Sequence, residues 1–247
     1  MLKSQEQQQE RTKAKAEVFT PSWICNKMNN HCDEEWFGRT GIFNIELENG
    51  WKVTNSPVPF EHEGDWMKYI DSKRLEITCG EAPYIVSRYD AATGELIEIR
   101  KRIGILDRKL RVVNENTDNE ADWFKWVLRA YQSVYGYEFQ GDNLLIARIN
   151  LLVTFVDYMQ DRWDRVPTET ELRKIANVIV WNLWQMDGMT GTVPFGKPEE
   201  QYHQYSLFDF VVADKANDVE RQPDKECRIY DWRRDRSLTY RSIKEGY

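Results

Sequence analysis

Apolar residues recur at helical spacing through much of this chain. The segment 141–163, GDNLLIARINLLVTFVDYMQDRW, predicts a long and mostly buried helix. Upstream, NEADWFKWVLRAYQSVYG places Trp123, Trp126, Val127, Ala130 and Tyr131 on one face, with Gly136 as the helix stop. Ile103, Leu106, Leu110 and Val113 fall near the same period. A further helix begins at Thr168, with Glu171 three residues on as a capping box, and runs into an apolar strand and a turn at Asp187-Gly188. Near the N-terminus, Thr20 reads as an N-cap and Pro21 as the first helical residue, with Trp23, Ile24, Lys27 and Met28 at helical spacing behind them.

Between the helices lie short β-favouring runs. DWMKYIDSKRLE predicts a short helix leading into a strand near 75–78, APYIVSRYDAATGEL the start of a helix broken at Thr93-Gly94, and YGYEFQ a strand. SLFDFVVAD is another strand candidate, and residues 38–64 read as turns around one short strand. Strands separated by helices argue for an α/β fold with a parallel sheet, whose ligands sit in loops at the carboxyl ends of strands.

Three such ends stand out. Cys79-Gly80 follows a strand, and a small residue there lets backbone approach a ligand; an ordinary turn is the plain alternative. Glu138 closes the next strand, where nucleotide-binding folds place a carboxylate on ribose hydroxyls; a solvated Glu is the alternative. Asp187 sits in a turn where a carboxylate can accept from an exocyclic amine, or simply close the turn.

Composition narrows the class. The 247 residues, 41% hydrophobic and 30% charged, suit a globular protein with a sizeable core. No apolar run approaches the roughly 20 residues of a membrane span, and MLKSQEQQQERTKAKAE lacks the apolar stretch of a secretory signal, so a cytoplasmic protein is expected. Four cysteines and three histidines give neither a disulfide framework nor a zinc spacing. The net charge of −7 does not advertise nucleic-acid binding. The tail is different: Arg228, Arg233, Arg234, Arg236, Arg241 and Lys244 alternate with Tyr230, Trp232 and Tyr240. Such interleaving can follow phosphates and stack on bases, or be a strand-rich edge whose arginines face water. Arg233, Arg234 and Arg236 are the nucleic-acid candidates.

Taken in order, these motifs resemble the S-adenosylmethionine-dependent amino-group DNA methyltransferases, the adenine-N6 M subunits of restriction–modification systems. EVFTPSWICNKM is similar to their N-terminal Thr-Pro motif, LEITCGEAPYIV to the acidic residue and Pro-Ala-Cys-Gly-Ser-Gly of their first motif, YGYEFQGDNLLIARINLL to the second, with its Ala-Arg-x-Asn-Leu helix, and NLWQMDGM to the third. The resemblance covers about residues 17–190. It implies a Rossmann-like methyltransferase sheet with helices on both faces, incomplete at the C-terminal side. It also implies S-adenosylmethionine as cofactor, bound by Thr20, Pro21, Glu76, Cys79, Gly80, Glu81, Ala82, Glu138 and Asp187, and DNA as partner. The division that follows is a polar lead-in over 1–17, a cofactor-binding domain over 18–215 and a basic, aromatic tail over 216–247.

The chain departs from the family pattern in two places. Ala82 and Pro83 stand where a second glycine is usual, and no Asn-Pro-Pro-Tyr motif follows; Asp214 ends the strand expected to carry it, in Ala-Asp-Lys-Ala. That motif holds the target amino group and stacks on a base turned out of the duplex. The expectation is therefore the cofactor-binding part of a methyltransferase that is truncated, degenerate or completed by a second chain. A non-catalytic relative that binds DNA or a restriction subunit is the alternative, and a methyltransferase of RNA or protein a weaker third.

Overall fold

Three short strands pair in parallel and in chain order: β3 (Arg74–Ile77), β4 (Val134–Glu138) and β5 (Leu183–Gln185). The computed structural model describes residues 18–194 and 226–244. Ahead of the sheet come α1 (Ser22–Phe37), an antiparallel hairpin of β1 (Asn44–Leu47) and β2 (Gly50–Val53), and α2 (Asp65–Asp71). The β3–β4 crossover carries α3 (Ile105–Asn116) and α4 (Glu120–Gln132), and the β4–β5 crossover carries α5 (Gly141–Trp163) and α6 (Glu169–Asn182). A second hairpin, β6 (Arg228–Asp231) and β7 (Arg236–Thr239), leads into α7 (Tyr240–Lys244). The molecule is thus mixed α/β with a parallel sheet, as the alternation predicts. Among the described residues no helix is long and apolar enough to cross a membrane. The lead-in 1–17, the strand expected over SLFDFVVAD and Asp214 lie outside the described residues.

The apolar period is realised in α4, α5 and α6. Trp123, Val127, Ala130 and Tyr131 of α4 are buried against Leu151 and Phe155 of α5 and Ile175 and Ile179 of α6. The Trp123 and Phe155 rings stack with centroids 6.4 Å apart. The α6 capping box forms as expected: Thr168 Oγ1 accepts from the Glu171 amide, and the Glu171 carboxylate accepts from the Thr168 amide at 2.7 Å.

Several local expectations are corrected. Helix α1 starts at Ser22, with Pro21 at the cap and no side-chain cap bond; the Ser22 amide donates to Asp90 Oδ2 at 2.6 Å instead. The buried face of α1 is Cys25, Asn26, Asn29, Asn30 and Asp33, whereas Lys27 and Met28 are exposed. The reason is Arg108, only 2% exposed, which needs oxygen partners: Asp33 at 2.5 Å, Asn26 at 2.9 Å and Asn30 at 2.7 Å. Residues 83–97 form turns rather than a helix, closed by a bridge between Tyr89 and Leu96 and by Asp90 accepting from the Ala92 and Thr93 amides. Gly136 is not the α4 stop; it lies inside β4, paired with Glu76 and Leu183. Residues 38–64 hold two strands rather than one.

Candidate functional site

Because β3, β4 and β5 run parallel, their carboxyl ends share one edge, and the register sets Ile77 opposite Tyr137 and Glu138 opposite Gln185. The ladder continues past the strands, with Cys79 N donating to Tyr137 O and Met186 N to Glu138 O. The three strand ends singled out in the sequence are therefore neighbours. Gly136 allows this packing: a Cβ there would fall 3.1 Å from Cys79 Sγ and 3.2 Å from Ile85 Cδ1.

Glu138 is the hinge of the edge. Its Oε2 accepts from the Gly80 amide at 2.8 Å, and its Oε1 from the Gln140 amide at 2.9 Å. The carboxylate thus ties the loop after β3 to the loop after β4, and is itself buried. The loop after β3 is tightly wound. Thr78, Gly80 and Ala82 all have positive φ, at 58°, 55° and 64°. Left-handed backbone costs a non-glycine residue about 1–2 kcal/mol, so the surroundings must hold Thr78 and Ala82 there. Bonds from Ala82 N to Cys79 O (2.7 Å) and from Asn150 Nδ2 to Glu81 O (3.1 Å) do so.

Glu76 stands beside Glu138 on the neighbouring strand. Its Oε2 is enclosed without a hydrogen-bond partner. Burial, then the Glu138 charge, holds its pKa well above the ordinary value. Cys79 is buried, and burial followed by Glu76 and Glu138 pushes its thiol up. Burial, then Glu76 and Asp90, raises Cys25 to about 12. Both thiols stay protonated at neutral pH and are poor nucleophiles.

The N-terminal motif reaches the same place. Asn29 Nδ2 of α1 donates to the Tyr84 carbonyl at 3.0 Å and the Ser22 amide to Asp90 Oδ2, so the first turns of α1, just after Thr20 and Pro21, lie against the loop after β3. Glu81 is buried and accepts from the Tyr89 hydroxyl, which also accepts from Asn150. Tyr89 and Asp90 were not picked out in the sequence; their only signal was the turn chemistry of Asp-Ala-Ala-Thr-Gly. Asp187 caps its own turn: Oδ1 accepts from the Met189 amide at 2.9 Å, and the Asp187 amide donates to Thr192 O. That turn crosses back over the sheet edge, bringing Gly188 against Ile77.

The loops 76–85, 136–143 and 183–191 carry Glu76, Glu81, Glu138, Asp142 and Asp187 and no lysine or arginine. The Gly80 amide, which could otherwise face a phosphate, is occupied by Glu138. The edge therefore disfavours phosphate and favours a ligand bearing hydroxyl donors and positive charge.

The tail candidates are placed in a different region. Arg233 is tied to Asp71 by an ion pair, and Arg234 and Arg236 are exposed at the hairpin tip. Tyr240 is buried with Tyr137, and Cys227 and Ile229 join them, so this hairpin packs on the sheet. A groove of about 960 Å³ lies between the β1–β2 hairpin and α3, with Trp51, Arg102 and Asp107 in its wall; no strand-end residue named above lines it. No protein-family model matches the chain, and no curated protein and no solved structure matches it.

Proposed function

We propose that this chain is the S-adenosylmethionine-binding part of a DNA adenine-N6 methyltransferase of a restriction–modification system, acting in the cytoplasm. The observation that carries the reading is the acidic, base-free edge at which Glu138 joins two strand-end loops. The ligand fits this donor set: its ribose hydroxyls suit Glu138, and its positive charge suits loops that carry carboxyl groups and no lysine or arginine. Bound there, it supplies an electrophilic methyl group. The chain's own residues orient and enclose it. Glu138 fixes the two loops, Asn29 and Tyr84 bring α1, with Thr20 and Pro21 ahead of it, over the edge, Ala82 and Glu81 set the loop path, and Cys79 and Gly80 form its floor.

The parallel order β3–β4–β5 fits one half of a Rossmann-like methyltransferase sheet with helices on both faces. Among the described residues β3 is an edge strand, with Leu75 and Ile77 each 48% exposed, which suits a sheet completed by further chain or by a partner. With no Asn-Pro-Pro-Tyr motif in the sequence, the groups that hold the target amine come from elsewhere. The same absence favours one second reading, a non-catalytic relative that binds DNA or a restriction subunit.

A thermal-shift series separates these readings. S-adenosylmethionine and S-adenosylhomocysteine should raise the melting temperature in proportion to the logarithm of ligand concentration, whereas NAD and ATP should not. Stabilisation by the nucleotides with pyrophosphate, and none by the sulfur compounds, would reject the assignment.

A further inference from the structure

Where α6 and β5 meet the second hairpin, four half-buried aromatic rings form a continuous chain. Trp184 and Trp181 have centroids 5.9 Å apart, Trp181 and Tyr230 5.1 Å, and Tyr230 and Trp232 4.5 Å. Three of their polar groups are anchored. Trp184 Nε1 donates to Trp181 O, Trp232 Nε1 to Asn182 Oδ1 at 2.8 Å, and the Tyr230 hydroxyl to Asp235 at 2.6 Å. The rings are thus held in place before any ligand arrives, which reduces the ordering penalty of binding.

Charge surrounds the rings asymmetrically. Arg228 shares the Tyr230 face of β6, by the two-residue period of a strand, and its guanidinium reaches Ser237 at 2.7 Å while keeping further donors. Arg234 and Arg236 are exposed at the tip. Of the carboxylates nearby, Asp231 is matched by Lys73 and Asp71 by Arg233, while Asp235 accepts from the Tyr230 hydroxyl.

We propose that this surface is a stacking platform for unpaired bases, a single-stranded nucleic-acid site in which Trp181 and Tyr230 take bases and Arg228, Arg234 and Arg236 follow the phosphates. Rings can stack only on bases whose faces are open, so the platform selects single strands over duplex. It deepens the nucleic-acid part of the function proposed above but rests on residues outside the acidic edge.

The test is fluorescence anisotropy of the full chain without cofactor, using labelled oligothymidylate of about a dozen nucleotides and a duplex of equal length. The single strand should bind, and Trp181→Ala and Tyr230→Ala should each weaken it by about tenfold or more while leaving duplex affinity unchanged. Trp181→Phe, which keeps a ring, should retain most of the affinity, and melting curves confirm folding. Arg228→Ala with Arg236→Ala should lower the salt dependence of single-strand binding. No single-strand binding by the wild type, or affinity indifferent to both ring removals, would overturn the platform. S-adenosylmethionine binding measured on the same samples keeps the two proposals apart: loss of one without the other rejects only that one.

Discussion

Two seams hold this molecule together, and they are built from opposite materials. Between α4, α5 and α6 the seam is apolar: Trp123, Val127, Leu151, Phe155, Ile175 and Ile179 meet with hardly any exposed surface. Between α1 and α3 it is polar. Arg108 is surrounded by Asp33, Asn26, Asn30 and the Ile103 carbonyl; Tyr69 donates to Asp33; and Asn44 bonds Asn26. Apolar contact is non-directional and supplies most of the stabilisation. A buried hydrogen-bonded network contributes little net energy but is satisfied in one arrangement only. The polar seam is the one that carries α1 to the sheet edge, where Asn29 donates to the Tyr84 and Ile103 carbonyls. We attribute to it the placement of the site and to the apolar seam the stability of the fold.

The largest effect expected is on the polar side. Asp33→Ala leaves the Arg108 guanidinium buried without its charge partner and should cost about 3–5 kcal/mol in denaturant unfolding. Adding Arg108→Met should restore much of the loss, because the stranded charge is removed. If the double variant is as unstable as the single one, burial of an unpaired charge is not the cause.

On the apolar side, Leu151→Ala should cost about 3 kcal/mol, read from the same unfolding curves, through lost contact and the cavity left behind. It should leave ligand affinity unchanged once stability is matched. A tenfold change in affinity would mean that the apolar seam also positions the site.

Glu171→Gln is a smaller test at the start of α6. The Arg165 guanidinium first, and then the Thr168 donors, hold this carboxyl near 2 against an ordinary 4.5. A depressed folded pKa means that the stabilisation is complete above about pH 4.5 and fades as pH falls toward 2. The variant should lose about 1 kcal/mol at pH 7. The gap to wild type should close at pH 2–3 in urea melts.

For Glu76 the sign is the test. Its folded pKa is raised, so the stability it allows is full below its unfolded pKa and declines as pH climbs toward the folded value. Glu76→Gln should therefore match the wild type in mild acid and become the more stable of the two toward neutral and alkaline pH. A variant that is less stable throughout would show that the carboxyl group is held ionised.

How much of this was legible follows the same division. The apolar seam announces itself as a 3.6-residue stripe, and Thr168 with Glu171 marks the start of α6. Glu138 and Cys79-Gly80 could be placed at strand ends because short β-favouring runs lead into them. The inward face of α1 was hidden. Asn26, Asn30 and Asp33 at helical spacing look like a solvated face, and only Arg108, some eighty residues away in sequence, turns them inward. Residues 83–97 misled for a related reason: the path there is set by Asp90, Ser87 and Asn150 accepting or donating across long sequence distances, not by local propensity. The tail's alternation of Ile229 and Leu238 with Tyr230 and Arg228 is that of a strand-rich edge, yet Arg233 is occupied by Asp71 and Tyr240 is buried.

The most direct test of the central claim is calorimetric titration of the intact chain with S-adenosylmethionine, beside Glu138→Ala of verified melting behaviour. Saturable binding in the wild type, at least about tenfold weaker in the variant, is the result expected if Glu138 organises the cofactor edge. No heat and no stabilisation in the wild type, or equal affinity in both proteins, would contradict it.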